Sequence, residues 1–421
     1  MSGPTHVARG VAWGVAGVAG VMIGLSACGR DTPAVQGGGR YAQDVAQAIP
    51  RVERAVGIRF KRPPRVESRS KADVRAFLER QFATSHAVRD LAGEEAVYKL
   101  LGMIPDTMHL RPELENLLTE QIAAYYDPKT KVLYVVDGAP QVELSVIIMH
   151  ELVHALQDQY INLDSIQSAE GDNDRASAAD AIIEGQAVFD QLVAMAGNRN
   201  FVAMIPGGWD AMRQQIRQNQ ASMPALAGAP MALQETLIFP YLSGTEFMRD
   251  FDAREPGTQP YGPNMPTSTR QVLHPVDDFL TRRQEPLRVT LPALPRGLQP
   301  AYVNDLGEFE TRLFLYQHLD DQAAAIRGAT GWEGDRYEVV QLPQGPALGW
   351  VTVWESAVSA AQFRDLLQQA IARRYGAHPV RSVSIVAAEI GGRPAVVYED
   401  KPAGARTLRM IDPAQVRIEP E

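Results

Sequence analysis

Along this chain the spacing of apolar residues alternates between the helical and the extended repeat, and the changes of period mark the elements. Val45, Ile49, Val52 and Val56 recur at helical spacing in Tyr41–Val56, and a second helix follows over Lys71–Phe82 behind a capping Ser70. Glu113–Tyr125 predicts a third helix. The period then switches: Asp127-Pro128 marks a turn, and Val132-Leu133-Tyr134-Val135-Val136 is a β-branched and aromatic strand. Ser145–Tyr160 is apolar nearly all round, with Val146, Ile147, Ile148, Leu152, Val153 and Leu156, so it predicts a buried helix. Ala176–Val188 is a helix with an apolar face, and Leu233–Asp252 a longer one kinked at Pro240. Residues 198–228 read as helices and loops over one side of a cleft, and the Pro/Gly-rich stretch 254–270 as loop. The last third predicts a helix over Asp305–Ile326, a turn at Gly331–Asp335 and strands at Tyr337–Leu342 and Gly349–Trp354. It closes with a helix over Ser359–Tyr375 and a hairpin of Val383–Glu389 and Pro394–Glu399 across Gly391-Gly392. The sum is an α+β, helix-rich chain in two units, residues 41–295 and an accessory α+β module at 296–421.

The first 40 residues follow neither period. Arg9 precedes the apolar run Val11–Leu25, too short for a comfortable membrane span, so residues 1–27 read as a signal peptide. Leu25-Ser26-Ala27-Cys28-Gly29 resembles the bacterial lipobox, in which the chain is cut before a cysteine that then carries lipid. Cys28 is the single cysteine. It has no intramolecular disulfide partner, and lipidation explains it. The Gly/Pro-rich residues 28–40 would tether the body to the bilayer from the extracytoplasmic side of a bacterial envelope. Composition fits the body: 45% hydrophobic and 22% charged residues are those of a globular protein. The net charge of −9, more negative still once Arg9 is removed, argues against nucleic acid as a partner.

Chemistry concentrates in the buried helix, where His150-Glu151-Leu152-Val153-His154 matches H-E-x-x-H. Residues four apart lie one turn up and about 40° around the helix, so His150 and His154 can face one metal ion. Glu151, on the flank, suits proton abstraction from a metal-bound water better than ligation. Two imidazoles and a carboxylate in an apolar helix are costly unless paired or bound to metal. Zn2+ is expected, because it accepts imidazole and leaves a position open when the protein supplies three groups.

The third ligand is Glu184, a lone glutamate next to Ile182-Ile183 on an apolar helix, with His274 as competitor. Asp180 shares the face of Glu184, and small Gly185 and Ala187 would let this helix approach the first. No histidine follows His154 at metzincin spacing. An edge strand at Val132–Val136 could hold an extended peptide across the metal, or be an ordinary sheet strand. A donor for the oxyanion of a scissile carbonyl is sought in His274 first and Tyr241 second, against a packing role for His274.

The segments AAYYDPKTKVLYVVD, IIMHELVHALQDQY and DNDRASAADAIIEGQAV within 121–190 resemble the gluzincin metallopeptidases, and more narrowly exported bacterial proteins of the peptidase-MA kind. The likeness extends through Phe239–Gly244, Ser268–Pro275 and Gly331–Tyr337. It implies a zincin-like catalytic unit with an edge strand and an active-site helix, zinc on His150, His154 and Glu184, and Glu151 as base. The thermolysin-like pattern has an acid four residues after the ligand glutamate. Val188 stands there, so a carboxylate supporting the ligands must come from Asp180 or Asp158. The expected function is a membrane-tethered zinc metallopeptidase acting on peptides or proteins. The alternative is an envelope lipoprotein that binds a partner or assists assembly around a structural or degenerate metal site.

Overall fold

A computed structural model of the chain describes residues 41–139, 141–166, 171–200, 223–376 and 381–420, with isolated positions between 211 and 218. The expected signal peptide, tether and Cys28 lie outside the described residues, as does most of 201–222.

Helix α1, Ala42–Val56, buries Val45, Ile49, Val52 and Val56 and ends on Gly57, whose φ of 82° lets its N–H return to the Glu53 carbonyl. Strand β1 is Arg65–Arg69. Helix α2, Lys71–Phe82, starts in a capping box between Ser70 and Asp73, and α3, Ser85–Leu101, had no signal in the sequence reading. Helix α4, Leu110–Gln121, is shorter than expected. Ala124–Asp127, expected as the helix end at Ala124-Tyr125 and the start of the turn, is strand β2, because Tyr125 and Tyr126 find antiparallel partners in β3, Val132–Val136. The Asp127 carboxylate fixes the intervening turn by accepting from Lys129 N and Thr130 Oγ1.

Strand β1 pairs parallel with β3, giving the order β1-β3-β2. The strand expected at an edge is therefore the central one. This sheet backs helix α5, Gln141–Gln157. Helix α6, Asn173–Ala196, crosses α5 and packs most extensively against α7, Met231–Arg254, which continues through Pro240. The closest approach is at Gly185 and Gly244, where backbones touch. Small Gly185 thus serves the α6–α7 crossing, not the expected α5–α6 one. A short helix, Thr269–Leu273, and a π-helix, Pro275–Thr281, lead out of the loop after α7.

Beyond it lie β4, Leu287–Thr290, and β5, Tyr302–Asn304. The helix expected over 305–326 is two, α8, Gly307–Leu319, and α9, Gln322–Ala329. Asp320 ends the first at φ 51° and Asp321 caps the second by accepting from Ala324 N, so adjacent aspartates do both jobs. Strands β6, Trp332–Leu342, and β7, Gly345–Trp354, helix α10, Ala357–Tyr375, and strands β8, Arg381–Ile390, and β9, Arg393–Pro402, complete an antiparallel sheet of order β5-β6-β7-β9-β8. The turn expected at Gly331–Asp335 is the start of β6, which carries a bulge between Trp332 and Gly334. The β8–β9 hairpin turns on Gly391 and Gly392, both at positive φ, as foreseen.

The final strand β10, Arg417–Pro420, pairs with β4, so residues 287–290 belong with the C-terminal sheets and not with the unit expected to end at 295. One contiguous apolar core joins the halves, running from Ile49 through Leu152 and Ile182 to Phe314, Trp350 and Tyr398. Phe239 of α7 stacks on Phe309 of α8 at 3.9 Å between ring centres where they meet. No helix among the described residues is long and apolar enough to cross a membrane.

Candidate metal centre

Helix α5 presents His150 and His154 one turn apart, and the crossing of α6 brings Glu184 between them. His150 Nε2 and His154 Nε2 are 3.1 Å apart, and Glu184 Oε2 lies 3.2 Å from the first and 3.4 Å from the second. Two ligands on a tetrahedral ion at 2.0–2.1 Å would be separated by about 3.3 Å, so the three atoms sit as zinc ligands do. The donor set agrees: two imidazole nitrogens and one carboxylate oxygen, all buried.

Electrostatics separate the two glutamates. Burial alone would raise the carboxyl of Glu184, but His154 and His150 outweigh it and bring it down to about 2. Glu151, fully buried, is pushed well above the ordinary carboxylate range by desolvation and then by the charge of Glu184, against one backbone hydrogen bond. Burial likewise lowers His150, against its contact with Glu184. The two carboxyls are thereby driven apart, Glu184 toward the ionised form and Glu151 toward the protonated one. Tyr126 N donates to Glu151 Oε2 at 2.8 Å, while Oε1 has no hydrogen-bond partner.

The structure also places the remaining candidates. Tyr241 of α7 is buried with its ring centre 6.2 Å from that of His150. Desolvation, then the charges of Glu184, Glu151 and Asp180, hold its hydroxyl protonated, so it can only donate to an anion there. His274 does not share that setting. Its Nε2 faces Glu308 Oε1 at 2.9 Å and Arg312 Nη2 at 3.0 Å, an ion cluster on α8 that occupies the nitrogen an oxyanion would need. Among the described residues, the group that could hold a metal ion contains Glu184 and not His274.

Asp158 is corrected as well. Its Oδ2 accepts from Tyr126 Oη at 2.7 Å and Lys131 Nζ at 2.6 Å, so it anchors the strand that holds Glu151. The ring of His154 is instead backed by Gln157, whose Oε1 lies 2.8 Å from Nδ1. An amide and not an acid stands behind the ring, and its position three residues after His154, on the same helix face, is the signal in the sequence that points to it. Asp180 stands one turn before Glu184, and both wall a cavity of about 30 Å3 that touches neither imidazole.

Edge pairing at Val132–Val136 is ruled out by register, since β3 has a partner on each side. The outer strands are β1 and β2, and the Tyr126 N–H of β2 is committed to Glu151. His150, Glu151 and His154 are 0% exposed and Glu184 2%, so a substrate meets no open cleft at the centre in this conformation.

A family model described as a domain of unknown function (DUF8575) matches residues 298–408, the sheet-and-helix region after β4, and does not reach the metal centre. No curated protein and no solved structure matches the chain.

Proposed function

We propose that the chain is a zinc metallopeptidase whose Zn2+ is held by His150, His154 and Glu184, with Glu151 as general base. One observation carries this reading. Three buried atoms that offer lone pairs converge within 3.4 Å of one another, an arrangement that repels unless a cation or a shared proton sits among them. Zinc there would supply Lewis-acid activation of a water and of the scissile carbonyl. Glu151 would take the water proton on Oε1, the oxygen left free by Tyr126, and return it to the leaving amine. Tyr241, neutral and with its ring 6.2 Å from that of His150, would be the donor to the oxyanion. Attachment to the envelope through acylated Cys28 belongs to the same proposal and comes from the sequence alone.

The burial of the centre favours a second reading, a non-catalytic lipoprotein with a structural metal. Zinc analysis of the full chain, followed by counting new N-termini released from unfolded protein, separates the two. The peptidase reading expects about one zinc per chain and cleavage that Glu151→Gln abolishes with zinc retained. Zinc-loaded wild type that releases no termini, or a Glu151→Gln variant that cleaves as well as wild type, would overturn it.

A further inference from the structure

Behind His154 runs a chain of side-chain amides whose direction is fixed by backbone carbonyls. Gln157 Nε2 donates to the Ile183 carbonyl and to Gln186 Oε1, each at 3.0 Å. A carbonyl only accepts, so the NH2 end of Gln157 must face α6 and its oxygen must face the imidazole. The same constraint holds further out. Gln186 Nε2 donates to Gln259 Oε1 at 3.1 Å, Gln259 Nε2 donates to the Val56 carbonyl at 2.9 Å, and the Tyr261 hydroxyl donates to Gln186 Oε1. Each amide is thereby locked in one of its two flips by an acceptor that cannot reverse. With an oxygen at 2.8 Å, Nδ1 of His154 must carry a proton, and Nε2 is the nitrogen turned toward His150 and Glu184.

We propose that Gln157 is a positioning residue that sets the Nδ1–H tautomer of His154 before any metal arrives, and that Gln186, Gln259 and Tyr261 are the relay that orients it. The use made of that tautomer rests on the metal-site reading; the tautomer itself does not. An amide is what this pocket tolerates. A carboxylate at 157 would set a second oxygen against the Ile183 carbonyl and Gln186 Oε1, in a space that already buries Glu151 and Glu184. The relay also joins three distant segments, the end of α1, the loop after α7 and the α5–α6 crossing, so the ring is held by elements that pack independently of the metal.

The test reads the ring nitrogens of His154 by long-range 1H–15N correlation in the metal-stripped full chain. At alkaline pH, where the ring carries a single proton, wild type is expected to show that proton on Nδ1. Gln157→Ala is expected to shift the ring toward the Nε2-protonated form and to weaken zinc binding by about 10–100-fold in chelator competition. Gln186→Leu, one bond further out, should give a smaller shift in the same direction, and Gln157→Glu should not restore wild-type affinity. An Nε2-protonated His154 in wild type overturns the proposal without any variant, as does a Gln157→Ala ring unchanged in tautomer. If wild type binds no zinc, the metal-site reading fails while the ring measurement still decides this proposal.

Discussion

Gly185→Ala is the substitution through which packing and chemistry can be tested together. A Cβ on Gly185 would lie 2.1 Å from the carbonyl carbon of Gly244 and 2.3 Å from its oxygen; one on Gly244 would lie 1.9 Å from the Ala181 oxygen. Methyl and oxygen need roughly 3.3 Å, so α6 and α7 must separate by about 1 Å or more, and neither neighbour is a side chain that can swing away. Overpacking of this kind costs about 1–3 kcal/mol and occasionally more, while alanine returns up to about 1 kcal/mol of helix propensity. Because both neighbours are backbone the cost falls at the upper end, and about 3 less about 1 leaves a net destabilisation of roughly 2 kcal/mol, read from urea denaturation of metal-stripped protein. Glu184 precedes the glycine, so the same displacement should weaken zinc binding on the order of tenfold by chelator competition. Gly228, with open space around a built Cβ, is the control, and Gly228→Ala should leave both readings unchanged or slightly improved. A Gly185→Ala protein with wild-type denaturation midpoint and zinc affinity would refute the claim that this crossing sets Glu184.

Glu184→Ala should lose zinc while keeping secondary structure, since it removes one of three ligands; retention of stoichiometric zinc in dialysed protein would displace it from the site. Asp190 offers a pH test, because burial raises its carboxyl from the ordinary 3.8 to about 8 despite Arg199. A raised acid favours the folded state when protonated, so its contribution is complete below pH 4 and is lost as the pH rises through 8. Asp190→Asn should therefore gain stability relative to wild type at pH 9, by a few kcal/mol, and little at pH 4; equal differences at both would refute the assignment. Asp335 accepts from Leu306 N, Gly307 N, Trp332 Nε1 and Trp350 Nε1 at 2.8–3.1 Å. Asp335→Ala strands four buried donors, at about 1–3 kcal/mol each, and should leave little folded protein in a thermal melt.

How far the sequence went depended on whether the cause was local. The capping Ser70, the Gly391-Gly392 turn and the face shared by His150 and His154 are consequences of backbone preference and helical repeat, forces that act between near neighbours. For that reason the α+β class and the H-E-x-x-H helix could be read directly. Ala124–Asp127 could not be, since its residues extend only because β3 lies beside them. The break at Asp320-Asp321 was visible in principle as a pair of capping residues inside a helical pattern.

What only the tertiary structure decided is where distant segments meet. For His274 the sequence left a functional and a packing role both open, and Glu308 and Arg312, on a helix that packing brought alongside, now hold its ring. Asp158 lay as close to His154 in sequence as Gln157 does, within one residue, yet helix phase turned it to Tyr126 and Lys131. The glutamine relay joins residues 56, 157, 186 and 259, and no local pattern could foretell that. Periodicity fixes which face a residue occupies; only the crossing of α5, α6 and α7 fixes what that face meets.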